Sequence, residues 1–133
     1  FAETAFLDRF AGVVPGWKIP KFQRDMAATQ VGLKMDFFGE VLLSLRHDNR
    51  FLAYAQQHTK FDSTTTIRDQ NAILKSAAGL LKILYPHLRL TIMDFQRDCL
   101  EPARQLRQAI RNMLYFLDEE FRQFGKELYV EAV

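Results

Sequence analysis

Phe6-Leu7-Asp8-Arg9-Phe10, followed by Ala11-Gly12-Val13-Val14 and then Pro15-Gly16-Trp17-Lys18-Ile19-Pro20, is the stretch that decides how the rest of the chain is read. A leucine, an ion pair and an aromatic lead into an apolar segment with two adjacent β-branched residues. Gly12, Pro15, Gly16 and Pro20 rule out a helix running through it. The pattern predicts one short strand over residues 10–14 and a Pro-Gly turn after it. A lone strand needs a hydrogen-bonded neighbour. The stretch therefore reads as the end of one folding unit, with its strand partners expected in sequence before Phe1.

Beyond Pro20 the period changes. Val31, Met35, Phe38, Leu42 and Leu45 stack on one face, widened by Phe37 and Val41, and predict a helix over 26–47. A shorter helix over about 50–57 is anchored by Phe51, Leu52 and Tyr54. Thr66, at the end of a hydroxyl-rich run from Asp62, forms with Asp69 something like a capping box with a shorter acid than Glu. The helix it opens carries Ile67, Leu74, Ala78, Leu81 and Tyr85 on one stripe, with Ile73, Ala77, Leu80 and Leu84 beside it. It is expected to stop before Pro86.

A last helical unit runs from near Thr91 towards Phe124 on Leu106, Ile110, Leu114, Leu117 and Phe121, with Gly125 as its stop. Pro102 interrupts it, by kinking one long helix or by opening a second at its first turn. Leu128 to Val133 reads as the start of a strand. The expected fold is mainly α: a helical bundle of four or five helices without an extensive sheet. Its core is expected on Phe38, Leu42, Leu45, Leu74, Leu81, Leu106 and Ile110.

The length of 133 residues suits about one domain. With 48% hydrophobic residues and 12 phenylalanines the chain has the material for a core. Eighteen Lys and Arg against 16 Asp and Glu leave a charge of +2, too small to argue for nucleic acid, although a local patch is compatible with it. Cys99 has neither a disulfide partner nor a ligand-spaced neighbour, which favours a reducing, cytoplasmic compartment. No apolar run approaches the ~18 residues that cross a bilayer, and no secretory signal is visible. The first residue is Phe1 rather than Met, which reads as a piece cut from something longer.

Few residues carry chemistry by their spacing. Asp8-Arg9-Phe10 places a guanidinium at the end of a rigid element, where it suits either a phosphoryl group presented by a neighbour or a local ion pair. Arg68 lies at the second helical position after Thr66. An arginine there opposes the helix dipole unless a phosphate or a carboxylate, such as Asp62 or Asp69, compensates. Trp17, held between two prolines, reads first as a packing anchor between two units. Arg104, Arg107 and Arg111 make a basic ridge, suited to nucleic-acid phosphates or to solvent. His47, His58 and His87 are scattered without ligand spacing, so no metal site is expected. The chain has no Gly-rich phosphate loop, no Gly-x-Ser-x-Gly and no Ser-Lys arrangement, and hence no complete catalytic site.

Phe6-Leu7-Asp8-Arg9-Phe10, Val14-Pro15-Gly16-Trp17-Lys18-Ile19-Pro20, Arg68-Asp69 and the run Ser76-Ala77-Ala78-Gly79-Leu80-Leu81-Lys82-Ile83-Leu84-Tyr85-Pro86 together resemble the BrxL family over residues 1 to about 115. These are the Lon-related AAA+ ATPases of bacterial BREX phage-defence systems. The resemblance implies that residues 1–20 close an AAA+ core and form a hinge, with Trp17 near the adenine. It implies that residues 21–125 are the C-terminal helical lid subdomain, and that 126–133 begin a Lon-protease-like domain or a linker. It further implies that Arg9 is an arginine finger acting in trans and that Arg68 is a sensor-2 arginine on ATP phosphates. The intact parent is expected to be a homo-oligomeric ring using ATP and Mg²⁺, with double-stranded DNA as a partner. No nucleotide is expected on the fragment alone, and the protease label is a fold-level analogy. Pro102 departs from the family's final helix. The rival reading is a stand-alone helical module for protein or nucleic-acid interaction, whose mark would be internal satisfaction of residues 10–14.

Overall fold

The strand expected over residues 10–14 does not form. The computed structural model describes residues 3–27 and 29–133, so Phe1, Ala2 and Ala28, which fall within the expected domain and helix ranges, lie outside the described residues. Thr4–Leu7 make a short helix, α1, and the chain from Phe10 to Pro15 is extended without pairing to a strand. Two of its backbone groups, the Phe10 carbonyl and the Val13 N–H, bond to the last long helix instead. Val13 donates its N–H to the Leu106 carbonyl at 3.2 Å. Gly12 makes that approach feasible, because a Cβ there would sit 2.6 Å from the Leu106 Cβ.

Short 3₁₀ turns at Gly16–Lys18 and Arg24–Met26 precede helix α2, Met35–Ser44. Helix α3, Arg50–Gln57, leads into strand β1, Thr59–Phe61. Helix α4 spans Ile67–Leu84 and stops before Pro86, as the sequence predicts. Helix α5, Ile92–Phe95, continues through a π turn, Gln96–Leu100, into α6, Glu101–Leu117. Helix α7, Glu119–Arg122, and strand β2, Val130–Ala132, follow.

Local chemistry explains these boundaries. Thr66 Oγ1 accepts the Asp69 N–H at 3.3 Å and caps α4, and Thr91 with Asp94 makes a reciprocal capping box for α5. Pro102 stands in the first turn of α6, the second of the two expected arrangements, where its missing N–H costs least. The π turn Gln96–Leu100 joins that turn to α5. The helix nevertheless ends at Leu117, short of Phe124, where Asp118 turns extended and caps α7. Gly125, at φ +76°, supplies the left-handed stop. The C-terminal strand finds its partner inside the chain: β2 pairs antiparallel with β1 in the register Thr59↔Ala132, Lys60↔Glu131, Phe61↔Val130.

The chain divides into two compact units, residues 1–13 with 49–133, and residues 14–48. The boundaries expected after residues 20 and 125 do not coincide with this division. In the larger unit α4 packs against α3 and α6, around Phe51, Ile73, Leu81, Phe95, Leu100, Ile110 and Leu114, all fully covered. Leu74 is buried as expected, whereas Leu106 is half-buried beneath the crossing at Gly12. In the smaller unit α2 is shorter than predicted, consistent with the low helix propensity of Val31 and Gly32. Phe38, Leu42 and Leu45 lie along one side of it but are half-buried, not core. That unit has one long helix, and a single helix offers no second layer against which to bury a stripe. Trp17 is 85% exposed on its 3₁₀ turn.

Leu81→Ala is expected to cost about 2–5 kcal/mol in chemical denaturation, from lost transfer energy plus the cavity left behind. An unchanged stability would show that this face of α4 is not core.

Candidate functional site

The buried stripe of α6 consists of Ala103, Arg107, Ile110, Arg111 and Leu114, so two guanidiniums point into the larger unit. Each finds a carboxylate there. Asp69, in the first turn of α4, is fully buried and accepts from Arg107 Nε at 2.6 Å and from Arg111 Nη1 at 2.8 Å. Asp8, at the end of α1, is 6% exposed and accepts from Arg107 Nη2 at 2.5 Å. Arg107 Nη1 donates to the carbonyls of Asp8 and Phe10 at 3.0 and 2.5 Å. Arg111 donates through Nε to Gly125 O at 3.0 Å and through Nη2 to Phe124 O at 2.9 Å. Every nitrogen of both guanidiniums thus has an acceptor, which is the condition for tolerating buried charge.

The basic ridge expected from Arg104, Arg107 and Arg111 therefore does not face solvent. Only Arg104 reaches the surface, and it is engaged in a bidentate pair with Glu101 at 2.8 and 2.7 Å. That guanidinium holds the Glu101 carboxyl below the usual carboxylate range. Of the expected stripe, Ile110 and Leu114 are fully buried, Leu106 is half-buried and Leu117 is exposed, while Arg107 and Arg111 share the buried face with them.

Arg68 and Arg9 flank this cluster from outside. Arg68, 59% exposed, donates from Nη1 to Asp8 Oδ2 at 2.5 Å. The compensating carboxylate is thus neither Asp62 nor Asp69 but one distant in sequence. Arg68 lines a cleft of about 410 Å³ at the amino end of α4, with Thr4, Thr66, Ile67, Asp118 and Phe121. Arg9 is exposed, and its guanidinium has no hydrogen-bond or ion-pair partner among the described residues. Its backbone is another matter, since the carbonyls on either side of it, those of Asp8 and Phe10, are both bound by Arg107.

Other chemistry is sparse. Cys99 is buried, and burial followed by the nearby Asp98 charge pushes its thiol up to about 11, so it is no ready nucleophile. Among the described residues no group of three or more His, Cys, Asp or Glu is placed to hold a metal ion. Nor is any helix there long and apolar enough to cross a membrane.

Over residues 1–127 the chain matches the family described as Lon-like protease BrxL-like, ATPase domain. It belongs to that family. It is 30% identical over 135 residues to the Lon-like protease BrxL of Escherichia coli O9:H4 (strain HS), a match covering 97% of this chain and 19% of the relative. It is 25% identical over 130 residues to the Lon-like protease BrxL of Bacillus cereus (strain H3081.97), covering 94% of this chain and again 19% of the relative. The chain thus spans less than a quarter of the length of these BrxL relatives. The matched range contains Arg9, Arg68, Asp8, Asp69, Arg107 and Arg111.

Proposed function

We propose that this BrxL-family chain is the closing part of an AAA+ ATPase domain: the core end and hinge over 1–20, the helical lid over 21–125, and the start of a following segment over 126–133. In this reading it supplies Arg9 in trans and Arg68 in cis to ATP bound in a homo-oligomeric ring. The observation that carries it is Arg9 itself: an exposed guanidinium without a hydrogen-bond or ion-pair partner among the described residues, on a backbone held at both neighbouring carbonyls by one buried arginine. A group that must meet charge developing on another subunit's phosphates needs that combination of free head and fixed base.

Arg68 fits the end of a phosphate chain. It sits where α4's first-turn N–H groups and dipole favour anions, and only one of its nitrogens is committed to Asp8. ATP with Mg²⁺ supplies the activated phosphoryl group, and these residues contribute positioning and charge. No described residue is assigned to the Mg²⁺. Double-stranded DNA stays a proposed partner of the whole ring, assigned to no residue here, since Arg104 is paired and Arg107 and Arg111 are buried. The cytoplasm is the proposed compartment, resting on the unpaired thiol of Cys99.

One observation favours the rival module: the N–H groups of Asp8, Arg9, Phe10 and Val13 and the carbonyls of Asp8 and Phe10 are hydrogen-bonded within the chain, as a free-standing unit requires. Subunit mixing separates the two. Arg9→Ala subunits combined with subunits disabled in their own phosphate loop are expected to regain hydrolysis at mixed interfaces. Arg68→Ala subunits are not expected to be rescued this way and should show altered nucleotide affinity instead. Parental hydrolysis by both alanine variants would hand the case to the interaction module.

A further inference from the structure

Asp8 stands between the two arginines of the proposed site. Its Oδ2 accepts from Arg68 and its Oδ1 from Arg107. Arg107 in turn binds the carbonyls that bracket Arg9. Asp8 also ends α1, so its side chain and the turn bearing Arg9 share one stretch of backbone. All these groups lie in the larger unit.

We propose that Asp8 is a positioning residue that couples Arg68 to Arg9, with phosphate and Asp8 competing for the Arg68 guanidinium. When Arg68 turns to a phosphate, Asp8 keeps only Arg107, and the segment 8–13 is held by one cation instead of two. Occupancy at Arg68 is thereby reported in the mobility of the Arg9 turn. The asymmetry of burial supports this direction of movement. Arg107 is 1% exposed and fully engaged, whereas Arg68 is 59% exposed, so Arg68 is the partner that can leave. Reciprocity follows from linkage: if phosphate weakens the Asp8 contact, weakening that contact must favour phosphate by the same factor. The coupling rests on the assignment of Arg68 to phosphate given above.

The test is amide hydrogen exchange on the 133-residue chain, with inorganic tripolyphosphate at millimolar concentration as the probe. Tripolyphosphate is expected to speed exchange over residues 8–13 by about fivefold, the factor matching the upper end of what a part-exposed ion pair contributes. Amides in the centres of α4 and α6 should not change, which separates the effect from general destabilisation. Arg68→Ala, at an exposed position, should show the faster exchange without the probe and no further response to it. Asp8→Asn, where it folds, should bind tripolyphosphate about fivefold more tightly.

The outcomes distinguish the two ideas. If tripolyphosphate binds Arg68→Ala as well as the parent, the phosphate role of Arg68 fails; if it binds neither, the competition proposed here is overturned. If binding requires Arg68 but exchange over 8–13 does not move, that role stands and the coupling through Asp8 is overturned.

Discussion

Asp69→Ala is expected to destabilise the larger unit by about 3–5 kcal/mol, the loss typical of removing one partner from a buried ion pair. Asp69 accepts from both Arg107 and Arg111, and all three side chains are at most 1% exposed. Its removal leaves two guanidiniums out of water with part of their charge uncompensated. Native domains are stable by only about 5–15 kcal/mol, so a large share of the variant should be unfolded at modest denaturant. The exposed pair Glu119–Arg122, at 3.7 Å with Glu119 91% exposed, provides the contrast. Glu119→Ala should leave the denaturation midpoint where it is, because solvent already screens that contact. Equal behaviour of the two variants would mean that the buried cluster does not hold the fold together.

That cluster also shows where the sequence was legible and where it was not. Elements with a full periodic signal were readable: α4 from Thr66 to Pro86 follows from its cap, its stripe and its terminating proline. The pairing of β1 with β2 was not, because Thr59–Phe61 is too short for alternation to show and its partner lies at the other end of the chain. The opening segment misled for a related reason. Two valines between glycines and prolines carry the composition of a strand, but Gly12 lets the backbone close on α6 and take its acceptor there.

The spacing alone puts Arg107 and Arg111 on the surface, because charge is the usual mark of a solvated face. The opposing signal was present, since 103, 107, 110, 111 and 114 make one continuous helical stripe. Accepting two arginines in it required knowing that Asp8 and Asp69 meet them, and such long-range pairing leaves no local trace. The candidate site was legible in the same uneven way. Arg9 and Arg68 were singled out individually, while Asp8, the residue that joins them, was seen only as half of a local ion pair.

If the proposed finger role holds, Arg9→Ala in the intact ring is expected to cause the largest change of all, in turnover and not in stability. Its guanidinium has no hydrogen-bond or ion-pair partner among the described residues, so folding, ring assembly and ATP affinity should survive the substitution. Hydrolysis should fall towards the ~10³–10⁵-fold loss known for arginine fingers in GTPases, with the ring's own loss set by how much of the transition-state charge other groups carry. Arg9→Lys should recover little of it. An ammonium is a single point charge, and it lacks the planar fork that engages two phosphate oxygens at once. The denaturation midpoint of the variant is the control. If turnover and midpoint fall together, Arg9 is structural, in conflict with its exposed and unpaired side chain. If turnover holds at the parental level while the midpoint is unchanged, the guanidinium faces solvent in every state of the cycle, and the fixed backbone beneath it serves only the packing of α1 on α6.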